Sequence, residues 1–268
     1  MQTLTGITLE DVRAVYDGAE GELWELVMGE QIHIGGFASS MDLADRAGVG
    51  TGMTGVDLCC CNGAGMRFLV RFRDVERMTG VDATRTVVER GRARTAEEGL
   101  SDRISFVEAD VRESGLPDSS ADFVWGEDAW CYVEDKDRLV AEAARIVKPG
   151  GTIAFTDWVA GPEPMDDAES ERYLRFMKFP NVLTLGEYKG LLEDAGCRVK
   201  LAMDTGRFPA HVDLYIDMLT KQLTYDALKR IAWDTDLMGV LGGEMQFVQQ
   251  LAHERKISQG LVIAEHTR

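Results

Sequence analysis

Three acids recur where apolar, β-prone runs end: Asp57 after TGV, Asp82 after RMTGV and Asp110 after RISFVEA. A carboxylate closing the second of such strands can accept from both hydroxyls of a ribose. One after the third can accept from an exocyclic amine, while nearby helix N-termini place the remaining groups. Acids at strand exits also cap helices. The ordered set, with the loop LCCCNGAG directly after Asp57, points to a nucleoside-type ligand. Glu127 and Asp128 close a further strand-like run, ADFVWGED.

Other side chains could act on a second ligand. His33, in GEQIHIGGF, offers an imidazole that is neutral near pH 7, for orienting a substrate or taking a proton, or else is a structural or capping histidine. His211, beside Pro209, is a second such histidine, and Tyr16 either closes over a ligand or packs as an ordinary aromatic. Trp125 and Trp130 either fill the core or present faces to a cation, and Trp158 either packs in the core or suits a larger, more apolar acceptor. Arg175 and Lys178 are cations that an anionic acceptor would want. Cys59, Cys60 and Cys61 lack C-x₂-C spacing and converge poorly on one ion, so no metal site is expected.

The elements that must position these groups follow from periodicity. Apolar faces at Leu9, Val12, Val15, Tyr16, Leu23, Leu26 and Val27 predict one or two helices over 9–30, and a helix over 39–47 stops at Gly48. Strand and helix patterns then alternate: TGVDLCCC, a helix over 63–73, RMTGVDA, the helix TRTVVERGRARTAEEG, RISFVEADV and ADFVWGED. A helix in DKDRLVAEAARIVKPGG stops at Pro149, Gly150 and Gly151, and GTIAFTDWV is the fifth strand. This order predicts parallel βαβ units in an open α/β sheet. Helices over 168–180 and 184–195, the strand CRVKLAMD, a mostly helical 209–256 interrupted at Gly239, Gly242 and Gly243, and the strand GLVIAEHTR complete the chain. Helices inserted between late strands should cap the carboxyl ends of the sheet, where such folds bind ligands. The expected division is a helical lid over 1–48, an α/β core over 49–160, and a helical cap with the final strands over 161–268.

VDLCCCNGAG resembles the first motif, DxGxGxG, of class I S-adenosylmethionine-dependent methyltransferases: Asp57 and Gly63 match, and Cys59 and Cys61 replace two glycines. GVDAT resembles that family's second-strand acid region, EADVRE its adenine-side motif, and DFVWGEDAW with LVAEAARIVKPGG its fourth strand and post-helix turn. The resemblance covers about 49–157 and implies a Rossmann-like sheet binding S-adenosylmethionine, with S-adenosylhomocysteine as product. Its wall would be Asp57, Cys59, Cys61, Gly63, Asp82 at ribose, Ala83, Asp110 at adenine, Val111, Glu127 and Asp128. VYDGAEGELWELVMGEQIHIGG, PAHVDLYIDML and KISQGLVIA further resemble the sarcosine and dimethylglycine N-methyltransferase group. That implies methylation of a small molecule, best an amine nitrogen, with His33, Tyr16 and His211 on the catalytic side. Trp130, Trp158, Arg175 and Lys178 would meet the substrate. TDWVAGPEPM departs from the group's T-D-P-M, and no clear arginine clamp appears, which turns against glycine-type acceptors. Methylation at oxygen, carbon or sulfur, and a non-catalytic binding protein with a drifted glycine loop, stand as alternatives.

Charge narrows the partners. The 268 residues carry 46 Asp plus Glu against 29 Lys plus Arg, a net charge of -17. That balance disfavours nucleic-acid backbones and anionic membrane surfaces. No stretch reaches the apolar length of a membrane span. The first residues lack a basic segment followed by an apolar one, and five clustered cysteines do not resemble a disulfide framework, so a reducing cytoplasm is expected. A small-molecule substrate is the expected partner, and homo-oligomerisation stays open.

Overall fold

The computed structural model describes residues 2–4 and 6–267. A short strand β1 (Gln2–Thr3) precedes helices α1 (Leu9–Asp17) and α2 (Ala19–Met28). A capping box between Thr8 and Asp11 starts α1, which buries Val12 and Val15. Helix α3 (Gly36–Ala47) begins earlier than the expected residue 39, because Gly35 takes a left-handed φ of 87° and turns the chain directly into the helix. Gly48, at φ 68°, ends it.

Strand and helix then alternate as the patterning predicts: β2 (Thr54–Leu58), α4 (Ala64–Phe72), β3 (Arg77–Asp82), α5 (Arg85–Glu97), β4 (Ile104–Glu108) and β5 (Ala121–Glu127). A 3₁₀ turn (Trp130–Tyr132) leads to α6 (Lys136–Ile146) and β6 (Val147–Ala160). The helix stops before the Pro-Gly-Gly run, not at it. Val147 is already extended and pairs with Ala121, and the β5–β6 register shifts before resuming at Phe123 and Thr152. Pro149 disfavours helical backbone at Lys148, which is why the helix cannot continue.

The late elements are α7 (Asp167–Met177), β7 (Asn181–Val182), α8 (Leu185–Asp194), β8 (Cys197–Asp204), α9 (Phe208–Asp217), a π turn (Met218–Gln222), α10 (Thr224–Arg230), α11 (Thr235–His253) and β9 (Ile257–His266). The break in the last helical stretch falls before α11, where Ala232 and Trp233 adopt φ of 53° and 66°. Gly239, Gly242 and Gly243 instead lie inside α11, with open space where a Cβ would project.

The seven-stranded sheet has the order β4-β3-β2-β5-β6-β9-β8. β9 runs antiparallel to both neighbours, while β4, β3, β2, β5 and β6 are mutually parallel. Alternate residues feed opposite faces: Phe123 and Trp125 pack with α3 and α4, whereas Val124, Ile153 and Phe155 pack with α6 and α8. A third apolar core joins Val27 and Ile34 of the N-terminal segment to Trp158, Tyr173, Phe208, Val212 and Val248. The N-terminal helices and the late helices therefore close together over the carboxyl end of β6. Among the described residues no helix is long and apolar enough to cross a membrane.

Candidate active site

The loop after β2 is held by the neighbouring strand. Cys59 and Cys60 donate their N–H groups to the Val81 carbonyl at 2.9 and 3.1 Å, and Cys61 donates to Asp82 Oδ2 at 2.9 Å. To make these bonds the backbone turns left-handed at Cys59 (φ 65°), Cys61 (φ 47°) and Gly63 (φ 75°). The two cysteines thus adopt the conformation that glycine takes without steric cost. Gly63 has a second constraint, since a Cβ there would lie 2.5 Å from the Phe106 ring. Burial, reinforced by the charge of Asp82, raises the Cys61 thiol to about 12 and pushes the Cys59 thiol well above its ordinary value. Both thiols are neutral at pH 7, so neither is a ready nucleophile.

A cleft of ≈ 770 Å³ opens beside this loop, lined by Val12 and Tyr16 of α1, Cys59, Cys61, Asp82, Ala83, Asp110, Val111, Arg112 and Tyr132. Asp82 accepts from the N–H groups of Cys61 and Thr84, at 2.9 and 2.8 Å. The Ala83 carbonyl accepts from Arg13 Nε at 3.0 Å, which ties α1 to the rim. Asp110 is gripped by Arg112, whose Nη2 donates to Oδ2 at 2.7 Å and whose Nε lies 3.0 and 3.1 Å from the two oxygens. These bonds hold the Asp110 carboxyl below its ordinary range.

An inner compartment shares Tyr16, Cys59, Cys61 and Ala129 with the cleft and adds His33, Asp57, Gly65, Glu127 and Asp128. His33 is buried, with Nε2 3.1 Å from Ser40 Oγ and 3.4 Å from Glu127 Oε1. Ser40 in turn donates to Glu127 Oε1 at 2.6 Å. A Cβ at Gly65 would stand 2.8 Å from Glu127 Oε2, so that glycine serves close approach and not a special turn. Asp128, at φ 50°, accepts from Ile34 N–H and from Gln259 Nε2, each at 2.8 Å, fastening the His33 loop to β9. Burial raises the carboxyls of Asp57 and Asp128, and the neighbouring charges of Glu127 and Asp82 raise Asp57 further. Tyr16 Oη lies 3.1 Å from Tyr132 Oη between the two compartments. Among the described residues no Lys or Arg lines the inner one.

Six residues expected near a ligand line neither compartment: Gly63, turned against the Phe106 ring, and five others. Trp130 is fully buried and stacked on Phe155 at 4.1 Å, and Trp158 packs edge-on against Phe208 at 4.6 Å. Packing takes the Trp130 face that was a candidate for a cation, and Trp125, equally buried, packs edge-on against Phe123, while Trp158 meets core aromatics in place of an acceptor. Arg175 lies exposed on α7 and pairs with Glu171 at 2.7 Å. Lys178 caps α7 in a left-handed conformation, at φ 57°. His211 Nδ1 contacts the Arg207 carbonyl one turn back in α9, at 2.9 Å. Sequence reasoning also missed Arg112, Tyr132, Ser40 and Gln259. Arg112 lies within the recognised EADVRE motif and Tyr132 two residues beyond DFVWGEDAW, but the roles of Ser40 and Gln259 depend on partners 87 and 131 residues away.

A family profile described as a methyltransferase domain matches residues 56–155. The chain is 29% identical over 219 residues to 27-O-demethylrifamycin SV methyltransferase of Amycolatopsis mediterranei, covering 76% of this chain and 80% of that protein. It is 27% identical over 219 residues to dimethylglycine N-methyltransferase of Parasynechococcus marenigrum, covering 75% and 77%. Among solved structures, a Galdieria sulphuraria protein assigned as a sarcosine dimethylglycine methyltransferase superposes with a TM-score of 0.84 at 19% identity, covering 94% of this chain and 98% of that one. The shared architecture is the Rossmann-like class I methyltransferase fold with N-terminal helices and a C-terminal helical extension.

Proposed function

We propose that this chain is a class I S-adenosylmethionine-dependent methyltransferase, a reading supported by the matched methyltransferase profile and the shared fold, and that it methylates the nitrogen of a small amine that bears no carboxylate. The residues fit the cofactor. Asp82, at the end of β3, is placed for a ribose diol, and Val111 offers an apolar wall for adenine, with Asp110 and Arg112 at its edge. Asp57 and Glu127 supply negative charge in the inner compartment for an ammonium and a sulfonium. S-adenosylmethionine carries its methyl on a sulfonium that departs as a neutral thioether when a lone pair takes the carbon. The protein's part is therefore mainly alignment and exclusion of water. Tyr16 and Tyr132 wall the passage between the compartments, and His33, tethered through Nε2, shapes the inner end.

The observation that carries the amine reading is the charge of the inner compartment, where acids face the space and no Lys or Arg does. An acceptor with a carboxylate would need a clamp, yet Arg175 is engaged by Glu171 and Arg207 by Asp42. A hydroxyl acceptor is the second reading, favoured by the buried His33–Glu127 pair, which suits removal of a hydroxyl proton. Methyl-transfer assays across simple amines, glycine, sarcosine, dimethylglycine and phenols separate these. Turnover of amines is expected, and turnover confined to phenols would reject the amine reading. Calorimetry with S-adenosylmethionine and S-adenosylhomocysteine tests the cofactor, and failure to bind either would sink it.

A further inference from the structure

Beside the cleft, α2, α7, α9 with its π turn, and α11 line a second, half-open cavity of ≈ 900 Å³, its solvent-filled mouth included. Trp24, Val27, Phe176, Leu219, Leu241 and Met245 line it, and no Lys, Arg or His does. Protein interiors are otherwise close-packed, and an apolar hollow with one charged group in its wall has the character of a small-molecule site. Its one charged group is Glu20. That carboxylate makes no hydrogen bond or ion pair among the described residues, and Lys178 acts on it only at longer range. Partial burial against the apolar wall raises the Glu20 carboxyl, and a cation seated there would favour the charged form.

The cavity is next to the reaction site. Gly21 lets the start of α2 press on α1, since a Cβ there would be 2.9 Å from Tyr16 Cα. The start of α2, with Glu20, is thereby set against Tyr16, which lines both catalytic compartments, and the charge of Glu20 reaches the Tyr132 hydroxyl. The outer wall is the first half of α11, where Leu237 and Val240 are exposed and Gly239, Gly242 and Gly243 weaken the helix. That wall is the one most easily displaced to admit a ligand.

We infer that this cavity holds the hydrocarbon body of the methyl acceptor and that Glu20 draws its cationic head toward the acids of the inner compartment, so the substrate class is an amphiphilic amine. The assignment as acceptor rests on the methyl-transfer reading above, whereas the binding does not. Calorimetry of the full chain with n-alkylamines from butyl to dodecyl, and with the matching n-alkanols, tests it. Affinity should rise about fourfold per methylene until the cavity is full, and amines should bind at least tenfold tighter than alcohols of equal length. Glu20→Gln should abolish the preference for amines and keep the dependence on length. Leu241→Trp should cut dodecylamine affinity at least tenfold and leave that for S-adenosylhomocysteine intact. Should melting curves show Leu241→Trp unfolded, the length series and Glu20→Gln decide alone. Affinity independent of length, or an unchanged amine preference in Glu20→Gln, would overturn the inference. Binding of S-adenosylhomocysteine without alkylamine binding would overturn this cavity assignment only. Alkylamine binding without S-adenosylhomocysteine binding would keep the ligand site and reject methyl transfer.

Discussion

At most positions alanine is more stable than glycine, and at Cys59 and Cys61 the order should reverse. Both residues sit in the left-handed region, at φ 65° and 47°, because their N–H groups are aimed at Val81 and Asp82. A side chain with a Cβ there costs roughly 1–2 kcal/mol. Glycine removes that strain but loses roughly 0.5–1 kcal/mol through the greater freedom of the unfolded chain. The difference leaves the glycine variant ahead of the alanine variant by about 0.5–1 kcal/mol at each site, and by about 1–2 kcal/mol for the pair. In a chain of this size that corresponds to roughly 2–8 °C between Cys59→Gly/Cys61→Gly and Cys59→Ala/Cys61→Ala. Thermal melts of the two double variants, with urea titrations to convert them to free energies, measure it. An alanine pair as stable as the glycine pair would refute the argument that the cysteines occupy strained glycine positions. Because both thiols face the cleft, the glycine pair should also keep or improve the affinity for S-adenosylhomocysteine.

Asp82→Ala should weaken S-adenosylhomocysteine binding at least tenfold in calorimetry, and unchanged affinity would remove the ribose role. Gly65→Ala should cut turnover more than it lowers melting temperature, since the added Cβ would stand 2.8 Å from Glu127 Oε2; full activity would show that this approach is not needed. Asp157 is fully buried, and burial raises its carboxyl from 3.8 to about 6. The folded state then holds a proton that the unfolded chain has released, so this group's contribution to stability falls as pH rises from about 4 to 6, by roughly 3 kcal/mol in all. Urea unfolding of Asp157→Asn against the unaltered protein should show their stability difference moving by about that amount across the window, and a flat difference would contradict it.

The sheet was legible because its signals are local. ADFVWGED is a short apolar run bounded by acids, as a strand buried on both faces must be, and Gly48 ends a helix by a conformation that few residues share. The carboxyl-end acids were legible for the same reason, being fixed by strand length and loop order. What sequence reasoning missed depends on distant partners. Trp130 and Trp158 read equally well as ligand-facing or core residues until Phe155 and Phe208 are seen to take their faces. Gly239, Gly242 and Gly243 suggested a break, but the chain turns at Ala232 and Trp233, residue types that carry no turn signal. Gln259 reaches Asp128 across 131 residues, a pairing that no local pattern encodes.

The same contrast bears on the charge. A net charge of -17 reads first as a soluble surface, and most acids are consistent with that. Yet Asp57 and Asp128 are buried, and with Glu127 they face a compartment that no Lys or Arg lines. Desolvation raises the carboxyls of Asp57 and Asp128, so each is costly to ionise in the empty protein. A cationic ligand entering that space favours their charged forms, and binding must then draw protons off the acids. Cofactor affinity should therefore rise with pH across the range in which these acids titrate, and calorimetry in buffers of different ionisation enthalpy should register proton release. Binding that is independent of pH and releases no proton would mean that the acids are already ionised without a cation, and that the compartment's charge is balanced by something other than its ligand.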